Sequence, residues 1–218
     1  IPAISTAIEE GINVNVTLLF SVDNYVKVAE AYCEGLRARA AKGLALDKIR
    51  SVASFFVSRV DTVVDKKLSE SSDPKAASLQ GKTGIANSKL AYMKFQEIFE
   101  TDSFKDLKDA GAAVQRPLWA STGTKNPEYS DVLYVDSLIG PHTVNTLPHA
   151  TLEAFVDHGV AAETLTQNFA EAEQVIGGLK DLDIDLDSIL SELQNAGVSQ
   201  FSDAFITLNK AISDKLGS

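Results

Sequence analysis

The chain has 218 residues, 44% of them hydrophobic and 23% charged, a composition ordinary for a globular protein with a sizeable core and unlike that of disordered segments. A formal net charge of -10 argues against nucleic acid as a partner, because binding a phosphate backbone needs a basic surface, yet it leaves room for a small anion held by local charges. There is no run of about 18 apolar residues, so no membrane-spanning helix is expected, and no basic segment leading into an apolar core marks a signal peptide.

Ile1-Pro2-Ala3 lacks an initiator methionine, and Ile4, Ala7 and Ile8 follow at helical spacing, as though the chain were entered partway through a helix that Gly11 stops. Asn13 to Phe20 then alternate, with Asn15, Thr17 and Leu19 on one side and Val14, Val16, Leu18 and Phe20 on the other. This predicts a strand whose polar residues Asn15 and Thr17 face a barrel interior or a crevice, where they need partners or a ligand. Ser21 or Asp23 caps a helix reaching about Ala41, with Gly43 as its stop, and the single cysteine, Cys33, lies within it. One cysteine makes no internal disulfide, which fits a reducing, intracellular compartment and an inert thiol.

A second strand from Ser51 to Val57 places Ser54 and Phe56 on one face and brings Arg59 to its end. Helical patterns follow over Asp61 to Leu68 and over Pro74 to about Glu100. Gly81-Lys82-Thr83 is not a phosphate loop, since that motif needs a glycine where Ala76 stands and a strand before it.

The organising stretch is Gln115 to Pro127, where an apolar run, Leu118 to Ala120, ends in Ser121, Thr122, Gly123, Thr124 and Lys125. A buried strand that delivers such a loop presents hydroxyls, backbone N–H groups and a cation at the carboxyl rim of a parallel sheet, where such folds bind ligands. An anion site, most simply for a phosphate, is the expectation. A short helix over Tyr129 to Ile139, a brief strand over Thr143 to Leu147 and a helix opened by Pro148 complete four alternations of strand and helix, which predict an α/β fold with a parallel sheet. Beyond Glu163 only helices are predicted, about 163–180, 186–196 and 199–215. Asp181, Asp183, Asp185 and Glu192 mimic a calcium loop but place Leu186 where glycine is required, and His142, His149 and His158 lack metal-ligand spacing, so neither a metal nor a cofactor is expected. His158, before Gly159, reads as a helix-end cation.

Four ordered blocks, Gly11 to Ser21, Ser51 to Asp61, Arg116 to Pro127 and Gly140 to Thr146, resemble the transaldolases of the longer bacterial and plant type, over essentially the whole chain. The resemblance implies a (β/α)8 TIM barrel, with residues 1–160 supplying about its last four β/α units and 161–218 forming C-terminal helices packed on it. It implies a class I aldolase mechanism, in which a lysine Schiff base on the ketose serves as electron sink and a dihydroxyacetone unit passes between sugar phosphates of the pentose phosphate pathway. Asn15 matches the family's substrate-hydroxyl contact, Thr17 and Ser54 match hydroxyls that hold a catalytic water, Phe56 belongs to the pocket, and Arg59 and Ser121 match phosphate contacts. Shorter relatives carry an arginine two places after that serine; here Gly123 stands there, and Lys125 corresponds by position and charge.

The family's Schiff-base lysine and its carboxylate acid/base residues would lie upstream of Ile1. The chain therefore reads as the C-terminal half of a longer polypeptide whose N-terminal half is its principal partner, located in the cytoplasm or, for a plant protein, the plastid. A class I aldolase that cleaves without transferring, and an inactive phosphate-binding or structural fragment, are the competing readings.

Overall fold

The computed structural model describes residues 1–217. Its centre is a sheet of four parallel strands in sequential order: β1 (Val14–Leu19), β2 (Ser51–Phe56), β3 (Arg116–Ala120) and β4 (Val144–Asn145). Helices α1 (Pro2–Glu9) and α2 (Val22–Ala41) flank β1, and α3 (Ser58–Ser69), α4 (Pro74–Leu79), α5 (Thr83–Phe99) and α6 (Lys105–Asp109) separate β2 from β3. After β3 come α7 (Leu133–Ser137), then β4, α8 (His149–His158), α9 (Phe169–Asp181) and α10 (Leu186–Leu216). The helix α2 starts where a side chain can satisfy its first free N–H groups: Ser21 accepts from the backbone N–H of Asn24.

Apolar groups cover the outer face of the sheet and, on the inner face, the carboxyl-terminal ends of the strands, where the short apolar runs lie. On the outer face Phe55 and Trp119 pack edge to face, with ring centroids 6.3 Å apart, among Tyr25, Val28 and Leu36 of α2 and Tyr92 and Phe95 of α5. On the other face Phe20, Phe56, Leu118 and Ala120 join Val60, Val64 and Leu68 of α3 and Ile189 and Leu190 of α10. The helix α3 thus does not flank the sheet as α2 and α5 do; it continues the inner layer beyond the strand ends.

Three sequence expectations are corrected. The regular alternation of β1 fails at its end: Leu18 has φ +61°, and the register steps from Val16 opposite Ala53 to Leu19 opposite Phe55, so three residues of β1 face two of β2. This bulge slips the phase by one residue, which places Leu18 and Phe20 with the inner cluster and Leu19 with Val14 and Val16 on the outer one. The helix expected from Pro74 to Glu100 is two, because Gln80 turns extended and Gly81 adopts φ +70°, a conformation that glycine enters without strain. The segments expected at 186–196 and 199–215 are a single helix, and residues 163–168 precede α9 without being helical. Gly197 does not interrupt α10, since one interior glycine costs only about 1 kcal/mol; it lets the helix approach β1, where an added Cβ would stand 2.9 Å from a Leu18 methyl.

Candidate active site

Asn15 and Ser54 stand on the inner face of adjacent strands, and the Ser54 hydroxyl donates to Asn15 Oδ1 at 2.7 Å. Ser54 is buried, whereas Asn15 and Thr17 are exposed on the open side of the sheet. Because the Asn15 carbonyl oxygen is engaged, its amide N–H groups are the ones left to face a ligand. Phe56, two residues beyond Ser54 on the same face, packs on Phe20 with centroids 5.2 Å apart and forms an apolar wall beside these polar groups.

The ends of β2 and β3 are stitched together. Val57 N–H donates to the Ala120 carbonyl at 3.0 Å, Ser58 N–H donates to the Ser121 carbonyl at 3.0 Å, and the two serine hydroxyls meet at 2.9 Å. Ser121 is held at φ +58°, a left-handed conformation costly for a residue with a Cβ, so the surrounding bonds keep its hydroxyl at this spot against backbone strain.

Arg59 follows Ser58 in the first turn of α3, half-buried. Its guanidinium carbon lies 5.3 Å from the Phe56 ring centroid, and Nη1 reaches Gln200 of α10 at 3.4 Å. No carboxylate pairs with it among the described residues, so an anion entering here would meet a cation that is not already neutralised. Thus Arg59 and Ser121 are neighbours through Ser58, at the carboxyl ends of paired strands. Lys125 is exposed four residues further along the loop and is not tied to either by a hydrogen bond. On the other flank of Ser121, the buried Thr122 donates to Asn145 Oδ1 of β4 at 2.7 Å, which ties the start of the loop to the next strand.

Sequence reading missed two carboxylates below this rim. Asp61 is 2% exposed, accepts from Gly84 N–H at 2.6 Å and from the Tyr134 hydroxyl at 2.8 Å, and burial pushes its pKa up to about 6 despite those two donors. Asp65, one turn on, accepts from Gly81 N–H at 3.0 Å and from the Tyr129 hydroxyl at 2.8 Å. The only signal available was spacing: Ser58, Asp61 and Asp65 are polar residues at i, i+3 and i+7, one stripe on a helix whose other positions include Val60, Val63, Val64 and Leu68.

A parallel α/β sheet with an amide, hydroxyls and an unpaired guanidinium gathered at its carboxyl rim defines the class: an α/β protein whose polar groups converge where such sheets bind ligands. The chain matches the transaldolase/fructose-6-phosphate aldolase family over residues 1–212, and it belongs to that family. It is 48% identical to a transaldolase of Mycolicibacterium smegmatis, a match covering 99% of this chain and 58% of that protein. It is also 47% identical to a transaldolase of Mycolicibacterium paratuberculosis, with 100% of this chain and 59% of that protein covered, and 50% identical to one of Mycobacterium tuberculosis, with 92% and 54% covered. The chain spans a little over half the length of these relatives.

Proposed function

We propose that this chain is the C-terminal part of a transaldolase and that it supplies the sugar-phosphate side of the active site. The observation that carries this reading is the junction of Ser121 with Ser58 and Arg59 at the ends of β2 and β3, on the same side as the Asn15–Ser54 pair. A phosphate at that rim would be met by the Arg59 guanidinium and the Ser121 hydroxyl, with Lys125 closing over it from the loop. A carbon chain running from there along the inner face would reach the Asn15 amide and pass Phe56. Thr17 and Ser54 stand beside it to hold a water for proton transfer. Covalent chemistry falls to a lysine of the preceding region, which forms the Schiff base on the ketose; the dihydroxyacetone unit is then handed to an aldose phosphate, an exchange that belongs to the pentose phosphate pathway. The relatives' shared name, transaldolase, favours transfer over simple cleavage.

The same reading completes the fold as a (β/α)8 barrel, with residues 1–160 as its second half and 161–218 as helices laid on it. Two features support this. Strands β1 and β4 are the unpaired edges of a short parallel sheet, an arrangement that such proteins cover or close. The distal half of α10 exposes Val198, Phe201, Phe205, Leu208, Ile212 and Leu216 at three- and four-residue spacing, an apolar stripe suited to packing on the remainder of the barrel. No described helix is long and apolar enough to cross a membrane.

The test is borohydride trapping. A polypeptide of the relatives' length, incubated with fructose 6-phosphate and reduced, should gain the mass of one three-carbon adduct on a lysine outside residues 1–218. No adduct, or an adduct on a lysine of this chain, would refute the assignment.

A further inference from the structure

We propose that the polar stripe of α3, Ser58, Asp61 and Asp65, positions the loop between β3 and α7, and that the Asp65–Tyr129 bond sets the fit of the site for a phosphorylated ligand. The inference rests on the function proposed above and adds a positioning role for residues that touch no substrate.

The loop leaves the sheet at Ser121 and re-enters regular structure at α7, and α3 holds it at three successive points. Ser58 binds Ser121 at its start, through both backbone and hydroxyl. Asp65 Oδ2 takes the Tyr129 hydroxyl at 2.8 Å, and Asp61 Oδ2 takes the Tyr134 hydroxyl at 2.8 Å, just past the loop's end. Each carboxylate spends its other oxygen on the turn that opens α5, Asp65 on Gly81 N–H and Asp61 on Gly84 N–H. Both acids are therefore bridges: one end is fixed to the turn that opens α5, and the other holds a tyrosine, Tyr129 of the loop or Tyr134 at the start of α7. The Tyr129 ring also lies over Gly81, 2.9 Å from where a Cβ would stand, so the turn and the ring fit each other closely.

The two ties differ in depth. Asp61 and Tyr134 are each 2% exposed and belong to the core, whereas Asp65 and Tyr129 are half-buried beside the segment that carries Lys125. Within that segment the remaining ties are short-range: Thr124 Oγ1 to the Ser130 carbonyl, Glu128 N–H to Asn126 Oδ1 and Tyr129 N–H to the Asn126 carbonyl. These bonds shape the loop but do not anchor it to the rest of the molecule, so between Thr122, tied to Asn145, and Asp131, tied to His158, the Asp65–Tyr129 bond is the long-range hydrogen bond that fixes where residues 124–128 stand relative to Arg59. Loosening it would leave the sheet and its inner face in place while blurring the geometry of the anion site, a loss of preorganisation that falls on the phosphoryl group alone.

The experiment compares Tyr129→Phe with the parent in a polypeptide of the relatives' length, using fructose 6-phosphate and unphosphorylated fructose as alternative donors with one aldehyde acceptor. The loss of one hydrogen bond to a charged partner should raise KM for fructose 6-phosphate about tenfold, with kcat for that donor and kcat/KM for fructose held near parent values. Asp65→Asn, whose single amide oxygen can still accept from Gly81 N–H while its amide N–H donates to the Tyr129 hydroxyl oxygen, should retain most of the affinity. Equal losses on both donors, or no change on either, would overturn the inference. Arg59→Ala, measured alongside, separates the two levels of the account: if it too fails to discriminate against the phosphorylated donor, the proposed function falls; if it discriminates and Tyr129→Phe does not, only the positioning role falls.

Discussion

Replacing Ser121 by glycine and by alanine separates two opposed effects at one residue. The structure holds Ser121 at φ +58° and gives its hydroxyl to Ser58 at 2.9 Å. A left-handed residue with a Cβ carries roughly 1–2 kcal/mol of strain, which glycine relieves and alanine keeps. The hydrogen bond is worth about 1 kcal/mol, and both variants lose it. Alanine should therefore destabilise the fold by about 1 kcal/mol, while in the glycine variant relief offsets the lost bond once the greater freedom of the unfolded glycine chain is counted. Glycine should thus exceed alanine in stability by about 1 kcal/mol, the reverse of their order in a helix. Urea denaturation of the two variants with a common slope would resolve that difference as a shift in midpoint. Equal stabilities, or an alanine variant more stable than the glycine one, would show that Ser121 is not strained and that no conformational cost is stored at this end of β3.

Two further outcomes follow from buried titratable groups. Burial raises the Asp61 pKa to about 6, so the native state binds that proton more tightly than the unfolded chain does; the contribution is present in full below about pH 4 and is lost as pH rises through 6. The whole loss amounts to roughly 3 kcal/mol, of which about 2 kcal/mol falls between pH 4 and 6, and Asp61→Asn should flatten the stability profile in that interval by about 2 kcal/mol relative to the parent; an unchanged profile would contradict the burial account. Burial also pushes the Cys33 thiol up to about 12, so native protein at pH 8 should resist iodoacetamide while urea-unfolded protein reacts fully, and rapid alkylation of the native state would refute this.

The strands were legible because their apolar residues recur at the period of a sheet, and α2 because Ser21 and Gly43 bracket an amphipathic run. Candidate residues Asn15 and Ser54 were readable from that same period, which assigns each a face, and Arg59 and Ser121 from their places just past a strand end, which is a local property. What escaped is non-local or conformational. A leucine at φ +61° leaves no trace in composition, so the bulge of β1 and its reversal of faces could not be foreseen. The bonds of Asp61 to Tyr134 and Asp65 to Tyr129 join residues 73 and 64 positions apart, and only the folded chain brings them together. Gly81 resembled an ordinary helical position until the extended Gln80 and the Asp65 carboxylate fixed it as a turn. Gly197 misled in the other direction, because its close approach to Leu18 looks in sequence like a helix break.

The central claim is that Arg59 and Ser121 together hold the phosphoryl group of a sugar at the ends of β2 and β3. Titration calorimetry of a polypeptide of the relatives' length with fructose 6-phosphate, parent against Arg59→Ala, tests it most directly. Removal of a partly buried charge from an ionic contact should weaken binding by about 2 kcal/mol or more, close to thirtyfold in Kd. An Arg59→Ala protein that binds fructose 6-phosphate as tightly as the parent would remove the anion from this rim and contradict the account.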